Sequence, residues 1–224
     1  MSLTKNHMES LRKGKWLLLR IVRPYLGVFL LIMTTTTISC AQSVDEDAKW
    51  LIEELNIQQE DVVAEMGSGN GRLTMEVARH VGPSGHVYSS ELGADSVQYL
   101  QDVVNKAEVS NVTVVEGHPT KTNLPKECCN VLFMRRVYHH FDDPAAMNKS
   151  IWQSLKPGGR VAIIDFAPSG TERSDPEERD CSSFEHHGVT KETVVEELKN
   201  AGFQLVSAEE RSGGDIYVVV QKME

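Results

Sequence analysis

The run Val62-Val63-Ala64-Glu65-Met66-Gly67-Ser68-Gly69-Asn70-Gly71 constrains the fold of this chain more than any other stretch. A short apolar segment of the kind used by buried parallel strands enters a turn with glycine at alternate positions. Arg72-Leu73-Thr74-Met75-Glu76-Val77-Ala78 follows, with apolar residues at helical spacing. The spacing predicts a buried strand, a glycine-rich turn and a helix. Glycines remove Cβ atoms from one side of the turn, allow positive φ, and let a ligand approach the backbone. The N–H groups that a helix start leaves unpaired would face that ligand. Such an element is either an ordinary strand-to-helix turn or a nucleotide-type cofactor site, and its placement favours the site.

The glycine spacing narrows the ligand. The dinucleotide fingerprint G-x-G-x-x-G needs a third glycine where this chain has Arg72, which argues against a dehydrogenase. A second strand, His86-Val87-Tyr88-Ser89-Ser90, ends at Glu91, 20 positions past Gly71. A carboxylate at that strand end is suited to accept hydrogen bonds from both hydroxyls of a ribose. Val112–Val115 reads as a third strand leading into Glu116-Gly117-His118-Pro119, and Asn130–Met134 as a fourth. From the fourth strand the chain runs into Arg135-Arg136-Val137-Tyr138-His139-His140-Phe141, where open α/β sheets bind ligands. Helices are predicted over 94–107, 142–155 (Pro144 in the first turn) and from the capping residue Thr190. The apolar positions Val97, Leu100, Val103 and Val104 of the first should point inward. Lys156–Arg160 reads as a turn before the strand Val161–Phe166. Phe203–Ala208 and Ile216–Gln221 are joined closely around Gly213-Gly214, so they should run antiparallel.

Glu65-x-Gly67-x-Gly69-x-Gly71 resembles the first motif of class I S-adenosylmethionine-dependent methyltransferases. Asn123-Leu124-Pro125, the His139-His140-Phe141 run, Leu155-Lys156-Pro157-Gly158-Gly159-Arg160 and Ala201-Gly202-Phe203 follow in the order of that family, so the resemblance covers about residues 61–222. It implies an α/β fold, a Rossmann-like doubly wound sheet of seven strands, mostly parallel with an antiparallel last strand. It implies S-adenosyl-L-methionine as cofactor and a small molecule as methyl acceptor. The cofactor-binding residues it implies are Glu65, Gly67, Ser68, Gly69, Asn70 and Gly71 in the loop, Glu91 and Leu92 after the second strand, Gly117 and His118 after the third, and Arg135 after the fourth. His118 stands where many members of the family have the acid that contacts adenine. A general base is needed only if the acceptor carries a proton, and His139, His140 or His187 can supply one. Tyr138 and Arg135 are candidates for orienting an anionic acceptor. No metal is expected, because adjacent histidines on a strand point to opposite faces. A catalytically silent protein that binds the same cofactor is the alternative function.

Net charge is −9, and residues 41–224 alone carry −14, so nucleic acid is a poor partner. Cys40, Cys128, Cys129 and Cys181 form no C-x-x-C pair. Cys128 and Cys129 read as small hydrophobes opening a buried strand, and a bond from either to Cys181 stays open. Residues 1–41 have the order of a secretory leader: six Lys/Arg up to Arg23, an uncharged apolar or Thr-rich stretch from Tyr25 to Ile38, then Ser39-Cys40-Ala41. Cleavage after Ala41, lipidation of Cys40 in a segment resembling a lipoprotein signal, and an uncleaved membrane anchor all remain open. Each predicts export or membrane attachment at the cell envelope, with a cytoplasmic protein as the alternative. The expected organisation is a leader over 1–41, an N-terminal helix within 42–60, and a methyltransferase domain over 61–224. In the helix, Ala48, Leu51, Ile52 and Leu55 fall at helical spacing behind Asp45-Glu46-Asp47.

Overall fold

The computed structural model describes residues 44–168 and 188–223. The leader, with Cys40, and residues 169–187, with Cys181 and His187, lie outside the described residues. The chain divides into a unit of residues 1–46, of which residues 44–46 are described and are helical, and a unit of residues 47–224. All that follows concerns the second unit.

That unit opens with helix α1 over residues 47–54, which buries Ala48 and Leu51, as does Leu55 just beyond it. Then come β1 (Val62–Met66), α2 (Arg72–Val81), β2 (His86–Glu91), α3 (Ala94–Lys106), β3 (Val112–Glu116), β4 (Cys129–Arg135), α4 (Pro144–Ser154), β5 (Leu155–Phe166), α5 (Lys191–Asn200), β6 (Phe203–Glu210) and β7 (Asp215–Lys222). The seven strands form one sheet in the order β3-β2-β1-β4-β5-β7-β6. The pairs β1–β2, β2–β3, β1–β4 and β4–β5 are parallel, and β7 runs antiparallel to both β5 and β6. This is the doubly wound architecture predicted from the sequence, including the antiparallel last strand. The strand order reverses between β1 and β4, so their C-terminal ends open onto a crevice.

The central strands read as apolar runs because helices cover both faces of a parallel sheet. Val131, Leu132, Phe133 and Met134 of β4 are buried, as are Ile216 through Val220 of β7. Edge strand β3 has no fully buried residue. In α3 only Leu100 and Val104 are buried, while Val97 and Val103 are half-buried. Asp143 accepts the Ala146 N–H at 2.9 Å ahead of Pro144, and Thr190 Oγ1 accepts the Thr193 N–H at 3.2 Å, so both predicted helix starts are capped. Cys129 is buried and Cys128 half-buried at the start of β4, both as free thiols.

The expected turn at 156–160 is part of β5. Leu155 pairs with Cys129 and Arg160 with Val131, so the four residues between bulge out of the ladder. Asn130 anchors the bulge: its Oδ1 accepts the Lys156 ammonium and the Val62 N–H, each at 2.9 Å. A Cβ on Gly159 would meet the carbonyl oxygens of Lys156 at 2.9 Å and Asn130 at 3.0 Å. Gly159→Ala should therefore lower stability by about 1–3 kcal/mol in urea denaturation. An unchanged midpoint would show that the bulge is not packed as described.

Candidate active site

The glycine loop is shaped from below. Glu65, near the end of β1, is only 3% exposed. Thr74 of α2 donates its hydroxyl to Glu65 Oε2, the Thr74 and Ser89 hydroxyls lie 2.8 Å apart, and Ser89 donates to the Ser68 hydroxyl at 2.7 Å. Strand β1, helix α2, strand β2 and the loop are thus joined by one buried polar chain. Burial holds the Glu65 carboxyl up at about 8, against an ordinary 4.5. Hydrogen bonds from Thr74 and Ser68 pull the other way, and the nearby Glu91 charge adds to the rise. At neutral pH the carboxyl is mainly protonated, which spares the structure a buried charge.

From above, the loop is tied to β2. Gly67 and Ser68 donate their N–H groups to Ser90 O at 2.9 and 3.0 Å, and Gly69 donates to Glu91 Oε1. Leu92 N–H reaches Glu91 Oε2 at 3.2 Å. The loop amides expected to face a ligand are therefore partly taken by Glu91. A carboxylate has about four lone-pair positions, so two remain for a ribose diol. Gly67 and Gly69 have φ of +69° and +54°. A Cβ on Gly67 would lie 2.3 Å from Val137 Cγ2, whereas a Cβ on Gly69 would meet nothing within 4 Å. One glycine is needed for packing within the protein, the other leaves space for something outside it.

A cavity of about 410 Å³ opens over the C-terminal ends of β3, β2, β1 and β4. It brings together Gly67, Glu91, Leu92, Gly117, His118, Arg135 and His140 from the sequence-predicted set. Gly69 and Glu91 border a second, adjoining hollow with Asp95, Ser96 and Tyr99. Ser68 and Glu65 lie beneath the loop, not on the cavity wall. Asn70 accepts the Arg72 N–H at 3.1 Å, and Gly71 is the N-cap of α2 with φ +74°. His118 Nδ1 accepts the Thr120 N–H at 3.2 Å, which orients its ring at the cavity edge. Among the described residues no three His, Cys, Asp or Glu side chains are placed to hold a metal ion.

The segment after β4 differs from a continued strand. Tyr138–His140 form a 3₁₀ turn, so the two histidines do not point to opposite faces. Their rings lie 3.8 Å apart. His140 lines the cavity, while His139 is turned inward, its Nδ1 2.8 Å from Asp165 Oδ1 and its N–H 3.2 Å from Asp165 Oδ2. Tyr138 is fully buried, donates to Glu197 Oε2 at 2.8 Å and accepts Asn148 Nδ2 at 2.7 Å. It is a packing residue and does not orient an acceptor. Arg135 reaches the cavity wall with its Nε 2.6 Å from Asp47 Oδ2. Asp47 Oδ1 accepts the Tyr217 hydroxyl at 2.8 Å, so α1, β4 and β7 are pinned at one carboxylate.

Sequence reasoning missed Asp165 and Asp47. An acid inside the apolar run Val161–Phe166 was the available signal for the first. Asp47 read only as a helix-start acid and is 5% exposed.

A family model described as a methyltransferase domain matches residues 57–212. The chain belongs to this methyltransferase family. It is 28% identical over 123 residues to the ubiquinone/menaquinone biosynthesis C-methyltransferase UbiE of Pseudomonas paraeruginosa, covering 53% of this chain and 47% of that protein. It is 27% identical over 182 residues to phosphoethanolamine N-methyltransferase 1 of Zea mays, covering 80% of this chain and 35% of that protein. The chain thus spans less than half the length of these relatives. Among solved structures it resembles an S-adenosylmethionine-dependent methyltransferase from Aquifex aeolicus, with a TM-score of 0.66 at 23% identity over 78% of this chain and 89% of that one. A Haemonchus contortus phosphoethanolamine N-methyltransferase 2, solved with S-adenosyl-L-methionine, gives a TM-score of 0.67 at 15% identity over 80% of this chain and 53% of that one. S-adenosyl-L-methionine is the methyl donor of this methyltransferase family.

Two variants separate the roles of the loop glycines. Gly69→Ala should keep the fold at a small cost from its positive φ and weaken S-adenosylhomocysteine binding at least tenfold by calorimetry, whereas Gly67→Ala, which adds a clash with Val137, should lower the melting temperature further. Equal stability of the two would contradict the packing role of Gly67. For Glu65, a carboxyl raised from 4.5 to about 8 binds more protons folded than unfolded. The stability tied to this proton therefore falls as pH climbs through that interval, because the unfolded chain releases it near 4.5 while the folded chain keeps it to about 8. The wild type should lose stability relative to Glu65→Gln between about pH 4.5 and 8 in denaturant titrations. Parallel curves over that range would refute a buried neutral acid.

Proposed function

We propose that the protein transfers a methyl group from S-adenosylmethionine to a small-molecule acceptor by in-line displacement. The observation that carries this is the cavity over the strand ends, with the Glu91 carboxylate and His140 on its wall and the open side of Gly69 on the hollow that adjoins it. The cavity's volume of about 410 Å³ lies within the usual range for small-molecule sites.

A sulfonium methyl is already electrophilic, so the main tasks are alignment and exclusion of water. Displacement converts a cation to a neutral thioether, so added charge stabilisation is not the chief requirement. If the acceptor bears a proton, His140 is the base that touches the cavity. The Asp165 carboxylate accepts a hydrogen bond from His139 Nδ1–H and so fixes that ring, against which His140 packs at a tilt. A C-methyl acceptor, as the name of the Pseudomonas relative states for that protein, and a phosphorylated amine, as the maize relative's name states, are the two acceptor types to try first.

We further infer that residues 1–41 direct the domain to the cell envelope. The basic, apolar and small-residue order of that segment supports this reading. Fractionation with mass analysis of the mature N-terminus tests it, and an unprocessed cytosolic chain would overturn it.

For the activity, methyl-labelled S-adenosylmethionine is supplied with metabolite extracts. Label should pass to a small-molecule fraction in a protein-dependent way and fall at least tenfold with Gly69→Ala. Cofactor binding without any transfer would contradict catalysis and favour a silent binding protein.

A further inference from the structure

Arg136 is a cavity residue that the cofactor reading leaves unused. It follows β4 directly, lines the cavity and adopts φ +57°. A long side chain in the left-handed region is uncommon and strained. The surroundings hold it there: the Arg136 N–H donates to Ile164 O at 2.7 Å. Strain imposed at the wall of a cavity points to a task for the residue that bears it.

This backbone turn sends two consecutive guanidinium groups to different partners. Arg135 goes to Asp47, which matches its charge at 2.6 Å. Arg136 lies over the Phe166 ring, its Cζ 5.5 Å from the centroid, and its Nη2 is 3.4 Å from Asp215 Oδ1. That contact is long for a hydrogen bond, and the two side chains are 51% and 41% exposed, so it holds the arginine weakly. Lys121 adds a further cation to the cavity wall. Of the acids there, Glu91 is engaged by the amides of Gly69 and Leu92, and Asp142 is exposed. Three permanent cations, Lys121, Arg135 and Arg136, thus share this wall with two carboxylates, and Arg135 is already matched by Asp47.

We propose that Arg136 anchors an anionic group, a carboxylate or a phosphate, on the acceptor molecule. The inference rests on the methyl-transfer reading of the same cavity. The planar guanidinium presents two parallel N–H donors to such a group, and the ring beneath fixes its plane. Phe166 also lies 4.8 Å from the His139 ring, so the anion anchor and that histidine meet at one aromatic side chain. An acceptor held there sits at the β4–β5 side of the cavity, away from Glu91 and Gly117 at the β2 and β3 ends. It trades the weak Asp215 contact for a bidentate one.

The test is calorimetric titration of inorganic phosphate and of acetate into the full chain at fixed ionic strength, with and without S-adenosylhomocysteine. Wild type should bind one of the two anions at a single site in both conditions, phosphate or acetate identifying which source the site suits. Arg136→Gln should weaken that binding at least tenfold and leave S-adenosylhomocysteine affinity within twofold. Arg136→Lys should recover part of it, and Arg79→Gln, on the exposed face of α2, none of the loss. Arg136→Gly relieves the left-handed strain, so it should melt at or above wild type while losing the anion, which a merely structural arginine would not do. Binding unchanged by Arg136→Gln, or no anion bound in either condition, overturns the proposal. So does an anion displaced by S-adenosylhomocysteine together with weakened cofactor binding in Arg136→Gln, because the arginine would then hold the cofactor. Failure of wild type to bind S-adenosylhomocysteine contradicts the cofactor reading, while the titration without it still decides whether Arg136 holds an anion.

Discussion

The candidate site depends on the buried carboxyl of Glu65 and the hydroxyls of Thr74, Ser89 and Ser68 that surround it. A carboxylate at that depth would carry a desolvation penalty of several kcal/mol, and protonation avoids most of it. What remains is a neutral chain of hydrogen bonds that crosses four elements and ends under the loop. A loop with positive φ at Gly67 and Gly69 has many conformations open to it when unsupported. Here its underside is bonded to Ser89 through Ser68 and its upper side to Ser90 and Glu91. The glycines permit the shape, and the polar groups around them select it.

The same logic recurs at the other strand ends. Asp47 draws Arg135 and Tyr217 to one carboxylate, and Asp165 holds both the ring and the backbone of His139. Each is a buried acid paired with a donor from a different strand or segment. Truncating one partner would leave the other buried without compensation, so these acids fix geometry more than they add stability. The result is a wall over β1, β4 and β5 whose charged groups cannot rotate freely, with Arg136 as the loosely held exception.

Much of the architecture was legible in the sequence because parallel strands and their helices write strong patterns. Val62–Ala64, Val131–Met134 and Val161–Ile164 are apolar for one reason, that both faces are covered. The Gly213-Gly214 link between the last two strands exposed their antiparallel pairing. The bulge at Lys156–Gly159 was not legible as part of a strand. Its pairing on either side depends on Cys129 and Val131, far away in sequence. The site was legible where a backbone requirement sets the residue type, as at the loop glycines and Glu91. It was obscure where long-range pairing gives an ordinary residue its role. Tyr138 looked like a substrate group beside two histidines, and Glu197 and Asn148 make it a core residue. Asp47 read only as a helix-start acid, and partners more than 80 residues away, Arg135 and Tyr217, hold it.

The central claim is that the loop, its buried acid and Glu91 together form a cradle for S-adenosylmethionine. A crystal structure of the full chain with S-adenosylhomocysteine tests it most directly. The account predicts the ribose hydroxyls on the Glu91 carboxylate, the ligand passing over Gly69, and the thioether pointing toward His140. Ligand density elsewhere, or a ribose out of reach of Glu91 with Gly69 uncovered, would contradict it.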